Sequence, residues 1–357
     1  STLLASSAAS DVYKRQKLIL LLSLLAMTVT SFAASEAEYG KISKAWTLHA
    51  DGSQEYRSSM ELTLFTHTAM NSTYGESFIV YNPDFQTLKI HSSYTRQKDG
   101  TIVKTPDNAF VEVLPRFAAD APAYNQLKEM VVVHTGLELG ATIYLDYSII
   151  TKPGYYPAMD INERLQETSP VKECKVSISV PEGTPLACGL YGSPVKAVEE
   201  SHDGIKEVHW TLRNIPASSR EAFQPKNREA SPHLVASTYP SGKAALATLD
   251  KRLKESQGYE SKTFAQFLTD KSGNEQEKVN IIRDHILNNL STCPIPMAMT
   301  GYTVRDIDTV LRSAYGTPLE IAQLLNVMLN AAGIPSEVLA VYPGHLDTDA
   351  CGLAAIQ

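Results

Sequence analysis

Cysteine and histidine are the side chains of this sequence best suited to nucleophilic or metal chemistry. The 357 residues contain four cysteines and nine histidines. No C-x-x-C pair exists, and the histidines are scattered without H-x-x-x-H or H-E-x-x-H spacing. Such spacings are what place several ligands around one ion. We therefore expect no metal site, and no other motif predicts a cofactor.

The cysteines are expected to be free thiols. Cys174 in CKVSISV and Cys188 in LACGL each share one face of a predicted strand with apolar residues. If these strands form a hairpin through residues 182–184, position 178 faces 188 and 174 faces 192, which is too far out of register for a disulfide. Cys293 in STCPIPM is expected to pack. Cys351 precedes a predicted helix start and is a weak candidate nucleophile, because a helix N-terminus lowers a thiol pKa.

The stretch SAYGTPLEIAQLLNVMLNAAGIP, residues 313–335, predicts a buried helix over 317–332. Thr317 and Glu320 form a capping box, in which each side chain bonds the backbone amide of the other residue. Pro318 falls at the first helical position, where a missing N–H costs nothing. Gly333 supplies the left-handed residue that ends the helix. The helix is apolar on nearly every face, as expected at the centre of a domain.

This helix and the residues around it resemble the core of bacterial transglutaminase-like proteins, which share the papain-type cysteine architecture. The likeness is carried by VNIIRDHILNNLST and by TVRDIDTVLRSAYGTPLEIAQLLNVMLNAAGIPSEVLAVY. In that family a G-x-C motif opens the helix, and Gly316 matches its glycine. The resemblance implies a nucleophilic cysteine at the helix N-terminus, with a histidine and an aspartate on later strands. The position of that cysteine is occupied here by Pro318.

Other candidates for catalysis are weaker. Thr317 is the hydroxyl nearest the motif position, but its expected role is structural. His345, in YPGHLDTDACG, is the only histidine after the helix, and its turn-like context differs from the family's strand. We expect the chain to be truncated at its C-terminus, so that the family's histidine and aspartate are absent. No residue is a confident catalytic candidate.

Strand-like sequence runs from about residue 35 to 237. Alternating runs flank Asp51-Gly52 and Asp99-Gly100, which predicts two hairpins. YTRQKDGTIVKTP, GLELGATIYLDYSI and SPVKECKVSISVPEG resemble a domain of unknown function that commonly precedes transglutaminase-like cores. We predict a multidomain protein of β then α+β class: an antiparallel β-sandwich over 35–237, then a truncated transglutaminase-like core over 243–357 that is mainly helical in the part present. In this core, one helix is predicted to bury a stripe: Val279, Ile282, Ile286, Leu287 and Leu290.

The N-terminus is predicted to contain two segments outside the mature fold. Residues 17–33 have a basic start, an apolar run of about ten residues and a small-residue cleavage site, typical of a secretory signal peptide. Residues 1–16 resemble a sequencing or assembly scar. We expect no membrane span in the mature chain, because no other segment approaches ~20 apolar residues. The protein is then exported, to the periplasm or the cell surface.

The composition and net charge of the chain limit the classes of partner that it is expected to bind. Hydrophobic residues make up 43% and charged residues 20%, which is ordinary for a globular protein, and the net charge is −7. A mildly acidic chain is poorly suited to nucleic acid. The leading hypothesis is a catalytically defective transglutaminase-like protein with a binding or structural role, whose ligand is an unknown peptide, protein or glycan. The alternatives are an active cysteine hydrolase or acyl transferase on peptide or amide bonds, and a glycan-binding β-sandwich whose loop tyrosines contact sugar.

Overall fold

The computed structural model describes residues 35–218, 231–255, 258–342, 346 and 350–356. The predicted scar and signal peptide, and the weak candidate His345, lie outside these residues. Within them, the chain has a large β-rich part followed by a smaller helical part. That order agrees with the prediction.

The strands follow one another to residue 237 with only short helical turns between them. They are β1 (Ala37–Leu48), β2 (Gln54–Leu64), β3 (Glu76–Tyr81), β4 (Gln86–Arg96), β5 (Ile102–Lys104), β6 (Phe110–Val113), β7 (Lys128–Val133), β8 (Thr142–Thr151), β9 (Asp160–Arg164), β10 (Val171–Pro181), β11 (Ala187–Tyr191), β12 (Val198–His202), β13 (Ile205–Ile215) and β14 (His233–Ser237).

One large sheet has the order β12-β13-β10-β1-β2-β8-β4-β5. Strands β1 and β10 pair in parallel, and the other neighbours are antiparallel. The prediction of a purely antiparallel sandwich was therefore wrong at this pair. Parallel neighbours need a long connection, and strands β2 to β9 lie between β1 and β10 in the chain.

Two three-stranded sheets, β11-β14-β9 and β3-β7-β6, pack on the large sheet. Ile143 of β8 belongs to the core shared with Ile161 and Leu234 of the first small sheet. Leu145 belongs to the core shared with Ile79 and Val132 of the second. Because residues two apart on a strand point to the same side, both small sheets cover the same face of the large one.

Both predicted hairpins are confirmed. Strands β1 and β2 are joined at Asp51-Gly52 and β4 and β5 at Asp99-Gly100, and both glycines have positive φ, 83° and 92°. The hairpin considered for the segments of Cys174 and Cys188 does not form. Strand β10 lies between β1 and β13, whereas β11 pairs with β14 in another sheet. The expectation that the cysteines are not joined in disulfides is confirmed, since none of the four forms one.

The helical part comprises α1 (Gly242–Glu255), α2 (Tyr259–Thr269), α3 (Glu275–Asn289), α4 (Ile307–Ser313) and α5 (Pro318–Ala331). A short parallel pair, β15 (Ser291–Thr292) and β16 (Tyr315–Gly316), joins the end of α3 to the start of α5. Helices α2 to α5 share one apolar core that includes Ile282, Leu324 and Met328. The predicted stripe on α3 is correct at Ile282 and Ile286 and wrong at Leu287, which is 70% exposed. None of the described helices combines the length and apolar character needed to cross a bilayer.

Candidate functional site

The N-terminus of α5 is where the sequence resemblance places a nucleophile, and the structure shows a capped helix start there. Thr317 is the N-cap, and its hydroxyl accepts a hydrogen bond from the Glu320 amide at 3.3 Å. The Glu320 carboxylate accepts from the Thr317 amide at 2.9 Å, which completes the predicted capping box. Pro318 is the first helical residue and brings neither an N–H nor a reactive side chain. At the other end, Gly333 has the predicted positive φ, 82°.

Glu320 is fully buried, and its carboxylate accepts more hydrogen bonds than the capping box alone requires. Its Oε1 accepts from the Arg305 backbone amide and Nε, both at 3.0 Å, and Oε2 accepts from the Arg305 guanidinium at 2.9 Å. The hydroxyl of Tyr124 donates to Oε1 at 3.0 Å. Burial raises the pKa of Glu320, but the bonds from Arg305 and Thr317 outweigh it and lower that pKa below its ordinary value. Glu320 is therefore a fixed anion at the start of α5.

Two tyrosines hold the Arg305 guanidinium in place. Its central carbon lies 4.6 Å from the ring centroid of Tyr315 and 5.5 Å from that of Tyr124. The guanidinium also donates to the Tyr315 carbonyl at 2.8 Å. Cation–π contacts of this kind stabilise a partly desolvated arginine. Arg305, Glu320 and the two tyrosines form one connected cluster, which we call the Glu320 cluster.

Residues 115–127 of the β-rich part, which we call the covering segment, contact the helical part beside this helix start. Ala118, Ala121 and Leu127 are fully buried in a core shared with Cys293 and Ile295 of the helical part. The Ala123 amide donates to the Tyr315 hydroxyl at 2.8 Å. A segment from the β-rich part thus packs beside the start of α5, while Pro318 itself stays exposed.

Cys293 is the thiol connected most directly to this region. Its amide donates to the Gly316 carbonyl at 2.8 Å, and its Sγ donates to the Asp120 carbonyl at 3.6 Å. It is 3% exposed, and burial together with the charge of Asp120 raises its pKa. A nucleophilic thiol needs a lowered pKa and access to substrate. Cys293 has neither, in keeping with its predicted packing role.

The other cysteines also lie in apolar surroundings. Burial raises the pKa of Cys174 to about 11 and raises that of Cys188. Cys351 is fully buried beside Val235 and Ala355 and precedes a single turn of 3₁₀-helix, residues 353–355, rather than the predicted α-helix. Its catalytic role stays an untested prediction.

Sequence reasoning missed the Glu320 cluster and the covering segment. Thr317 and Glu320 are three residues apart, so a local motif reveals them, but Arg305 is 15 positions from Glu320 and Tyr124 is 196. The only local signal is Tyr124 in the loop sequence PAYN, and its partner cannot be identified from the residues around it. Tyr124 fixes its loop by bonding to the helical part.

Comparisons with known proteins support part of the sequence interpretation. Residues 50–219 match DUF3857, a domain of unknown function with a solved structure. The chain contains that domain, so the resemblance of its strands to a domain of unknown function is confirmed. No protein among the curated proteins matches the chain.

The chain is also similar to solved structures. A crystal structure described as a "putative protease" from Parabacteroides distasonis is 99% identical, with a TM-score of 0.88 over 90% of this chain. The chain spans 64% of the length of that protein. An M1 zinc metallopeptidase from Deinococcus radiodurans is 11% identical with a TM-score of 0.27, over 56% of this chain and 42% of the other. That likeness is too low to support any conclusion about fold or function.

Proposed function

We propose that this chain is an exported, catalytically inactive transglutaminase-like protein with a binding or structural role at a bacterial cell envelope. The observation that carries the proposal is Pro318 at the first position of α5, where the papain-type architecture would need its cysteine. Residues 17–33, with the pattern of a signal peptide, support export. The transglutaminase-like part of the proposal rests on the sequence motif around α5.

The surroundings of Pro318 also disfavour thiol chemistry. An active cysteine at a helix start becomes a thiolate because unpaired amides and a nearby cation stabilise negative charge. Here the amides of Thr317 and Glu320 are already bonded within the capping box, and Arg305, the cation beside this helix start, is already paired with the Glu320 carboxylate. The site is arranged to stabilise a helix, which suits a scaffold.

A second candidate function is peptide hydrolysis. It is favoured by the similarity to the Parabacteroides distasonis structure, whose description names a protease. That protein is longer than this chain, so its activity comes to this chain only as a proposal. Hydrolysis would require a nucleophile other than the residue at position 318.

Catalytic assays separate the two functions. The chain is incubated with fluorescein-labelled casein to detect hydrolysis, and with a glutamine peptide plus dansylcadaverine to detect acyl transfer. We expect no product above the buffer background, and no change in Cys293→Ser or Cys351→Ser. Papain and a bacterial transglutaminase serve as positive controls. Turnover that disappears in one cysteine-to-serine variant would establish the hydrolase or transferase function instead.

A further inference from the structure

A groove separate from the α5 N-terminus lies between the large sheet, strand β9 and the turn at residues 297–300. Its volume is about 450 Å³. Ligand sites in proteins commonly span roughly 300 to 1,000 Å³. We call this cavity the aromatic groove, and none of its described lining residues belongs to the Glu320 cluster or the covering segment.

One wall of the aromatic groove is a row of half-buried aromatic rings on the large sheet. Trp46 of β1 pairs directly with Tyr56 of β2, with ring centroids 5.2 Å apart. Tyr147 of β8 continues the row, its ring centroid 6.3 Å from that of Tyr56. Rings of this kind bind the aliphatic stem and the charged end of a lysine or arginine side chain.

The facing wall is the edge of β9. Strand β9 pairs with β14 on one side, and no strand among the described residues pairs with its other edge, which we call the free edge. On the side that faces β14, the Met159 carbonyl accepts a hydrogen bond and the Leu165 amide donates one. Because bonding direction alternates along an antiparallel strand, the backbone groups of Asp160 and Asn162 point toward the free edge. Residues 160–163 all line the groove, as expected when the edge of a strand borders a cavity and not one of its faces.

The charge of the groove is negative. Glu55, Asp160 and Glu163 line it, and no lysine, arginine or histidine does among the described residues. Lys44 pairs with Glu163 and neutralises it, so the net negative charge of the groove comes from Glu55 and Asp160. The carboxylate of Glu55 is 3.9 Å from His49. Asp160 has no basic partner in the described part of the chain.

Asp160 is held in a fixed position with one oxygen unused. Its Oδ2 accepts a hydrogen bond from the Ala354 amide at 2.9 Å. A Cβ at position 352 would overlap this carboxylate, so glycine is required there. Its Oδ1 is buried and has no hydrogen-bond partner among the described residues. A buried carboxylate oxygen without a donor leaves the charge of Asp160 poorly compensated, and Asp160 borders the groove.

We propose that the aromatic groove binds an extended peptide segment along the free edge of β9, with a lysine or arginine of that peptide lying across Trp46 and Tyr56 toward Asp160. This assigns a ligand class to the binding role proposed above and rests on it. A free strand edge recognises a peptide backbone through alternate amides, which a saccharide cannot match. The carboxylates select a positively charged side chain.

Isothermal titration with defined peptides tests the proposal. The probe is acetyl-Thr-Val-Lys-Val-Thr-amide, and the matched control has glutamate in place of lysine. We expect the lysine peptide to bind at least about tenfold more tightly than the glutamate peptide, because the carboxylates attract one and repel the other. Two further peptides carry N-methyl groups on one or the other alternate set of amides. One of these two should lose binding and the other keep it, since edge pairing uses one set.

Protein variants locate the binding to the groove. Asp160→Asn keeps the shape and the bond from Ala354, and we expect it to weaken binding of the lysine peptide by about tenfold through loss of a charge-assisted bond. Asp146→Asn is the matched control, since Asp146 lies on the large sheet outside the groove and pairs with Arg57 at 2.7 Å. It should bind like the unaltered chain.

Three results would overturn the groove proposal. They are equal binding of the lysine and glutamate peptides, unchanged binding by Asp160→Asn, and binding of chitohexaose without binding of the peptide. Mass spectrometry of the recovered peptide separates this proposal from the previous one. A cleaved peptide whose binding depends on Asp160 contradicts the inactive scaffold and supports the groove, whereas an intact peptide that never bound contradicts the groove alone.

Discussion

Replacing Glu320 with alanine is expected to lower the free energy of unfolding by about 3 to 5 kcal/mol, the usual cost of removing one partner from a buried ion pair. Glu320 is fully buried and accepts bonds from Arg305, Thr317 and Tyr124. Its loss leaves the Arg305 guanidinium, which is only 17% exposed, without its carboxylate. It also removes one of the two capping-box bonds and the bond from Tyr124 of the covering segment.

Urea unfolding, followed by circular dichroism and tryptophan fluorescence, measures this loss. Glu260→Ala is the matched control, because Glu260 pairs with Arg312 at 2.7 Å while both side chains are 56% exposed. An exposed pair of this kind contributes less than about 1 kcal/mol. If Glu320→Ala cost no more than Glu260→Ala, the Glu320 cluster would not hold the two parts of the chain together.

The second large effect is a gain of stability. Asp160→Asn is expected to raise the free energy of unfolding at pH 7 by up to about 3 kcal/mol, at roughly 1.4 kcal/mol per pKa unit. Burial raises the pKa of Asp160 from 3.8 to about 6, against the weaker opposing effect of the backbone amides of Ala354 and Leu353. Ionising this carboxylate in the folded chain is therefore costly. Asparagine keeps the shape and carries no charge.

The sign of the pH dependence follows from proton binding. Between pH 3.8 and about 6 the folded chain holds a proton on Asp160 that the unfolded chain has lost. The free energy of unfolding therefore falls as the pH rises through that window. The advantage of Asp160→Asn should be near zero at pH 4 and reach its full size above pH 6. The tyrosines around Asp160 do not titrate there, because burial raises the pKa of Tyr239 and of Tyr342 to about 12.

Urea unfolding at half-unit steps from pH 4 to pH 7.5 checks this expectation. Asp146→Asn is again the control and should show no stabilisation. An advantage that is absent at pH 7, or constant across the range, would show that Asp160 is not a buried, destabilised carboxylate. A variant that is more stable yet binds the lysine peptide more weakly would show that stability is sacrificed for binding at this position.

Local features of the fold could be predicted from the sequence, and contacts between distant segments could not. The capping box at Thr317 and Glu320 and the hairpin at Asp51-Gly52 each depend on residues a few positions apart, so their geometry follows from local chemistry. The parallel pairing of β1 with β10 depends on where the intervening strands pack. Alternation shows that these segments are strands but does not identify their neighbours.

The same distinction between local features and distant contacts applies to the start of α5 and to the aromatic groove. Pro318 could be identified from a motif, but the bond that joins its helix start to the β-rich part comes from Tyr124, which is 196 residues from Glu320. The aromatic groove combines Trp46 and Tyr56 with Asp160 from a different sheet. Leu287 shows that burial cannot always be predicted even within one helix. Its apolar side chain suggested burial, but the residue is exposed.

The reactivity of the cysteines in the native chain tests the absence of a nucleophile most directly. The chain is treated with fluorescent iodoacetamide at neutral pH, and mass spectrometry of its tryptic peptides locates the label. We expect all four cysteines to react more slowly than they do in the urea-unfolded chain, because Cys174, Cys293 and Cys351 are buried and Cys188 is partly buried. Stoichiometric labelling of one native cysteine, lost when that cysteine is changed to serine or a histidine to alanine, would contradict the inactive scaffold.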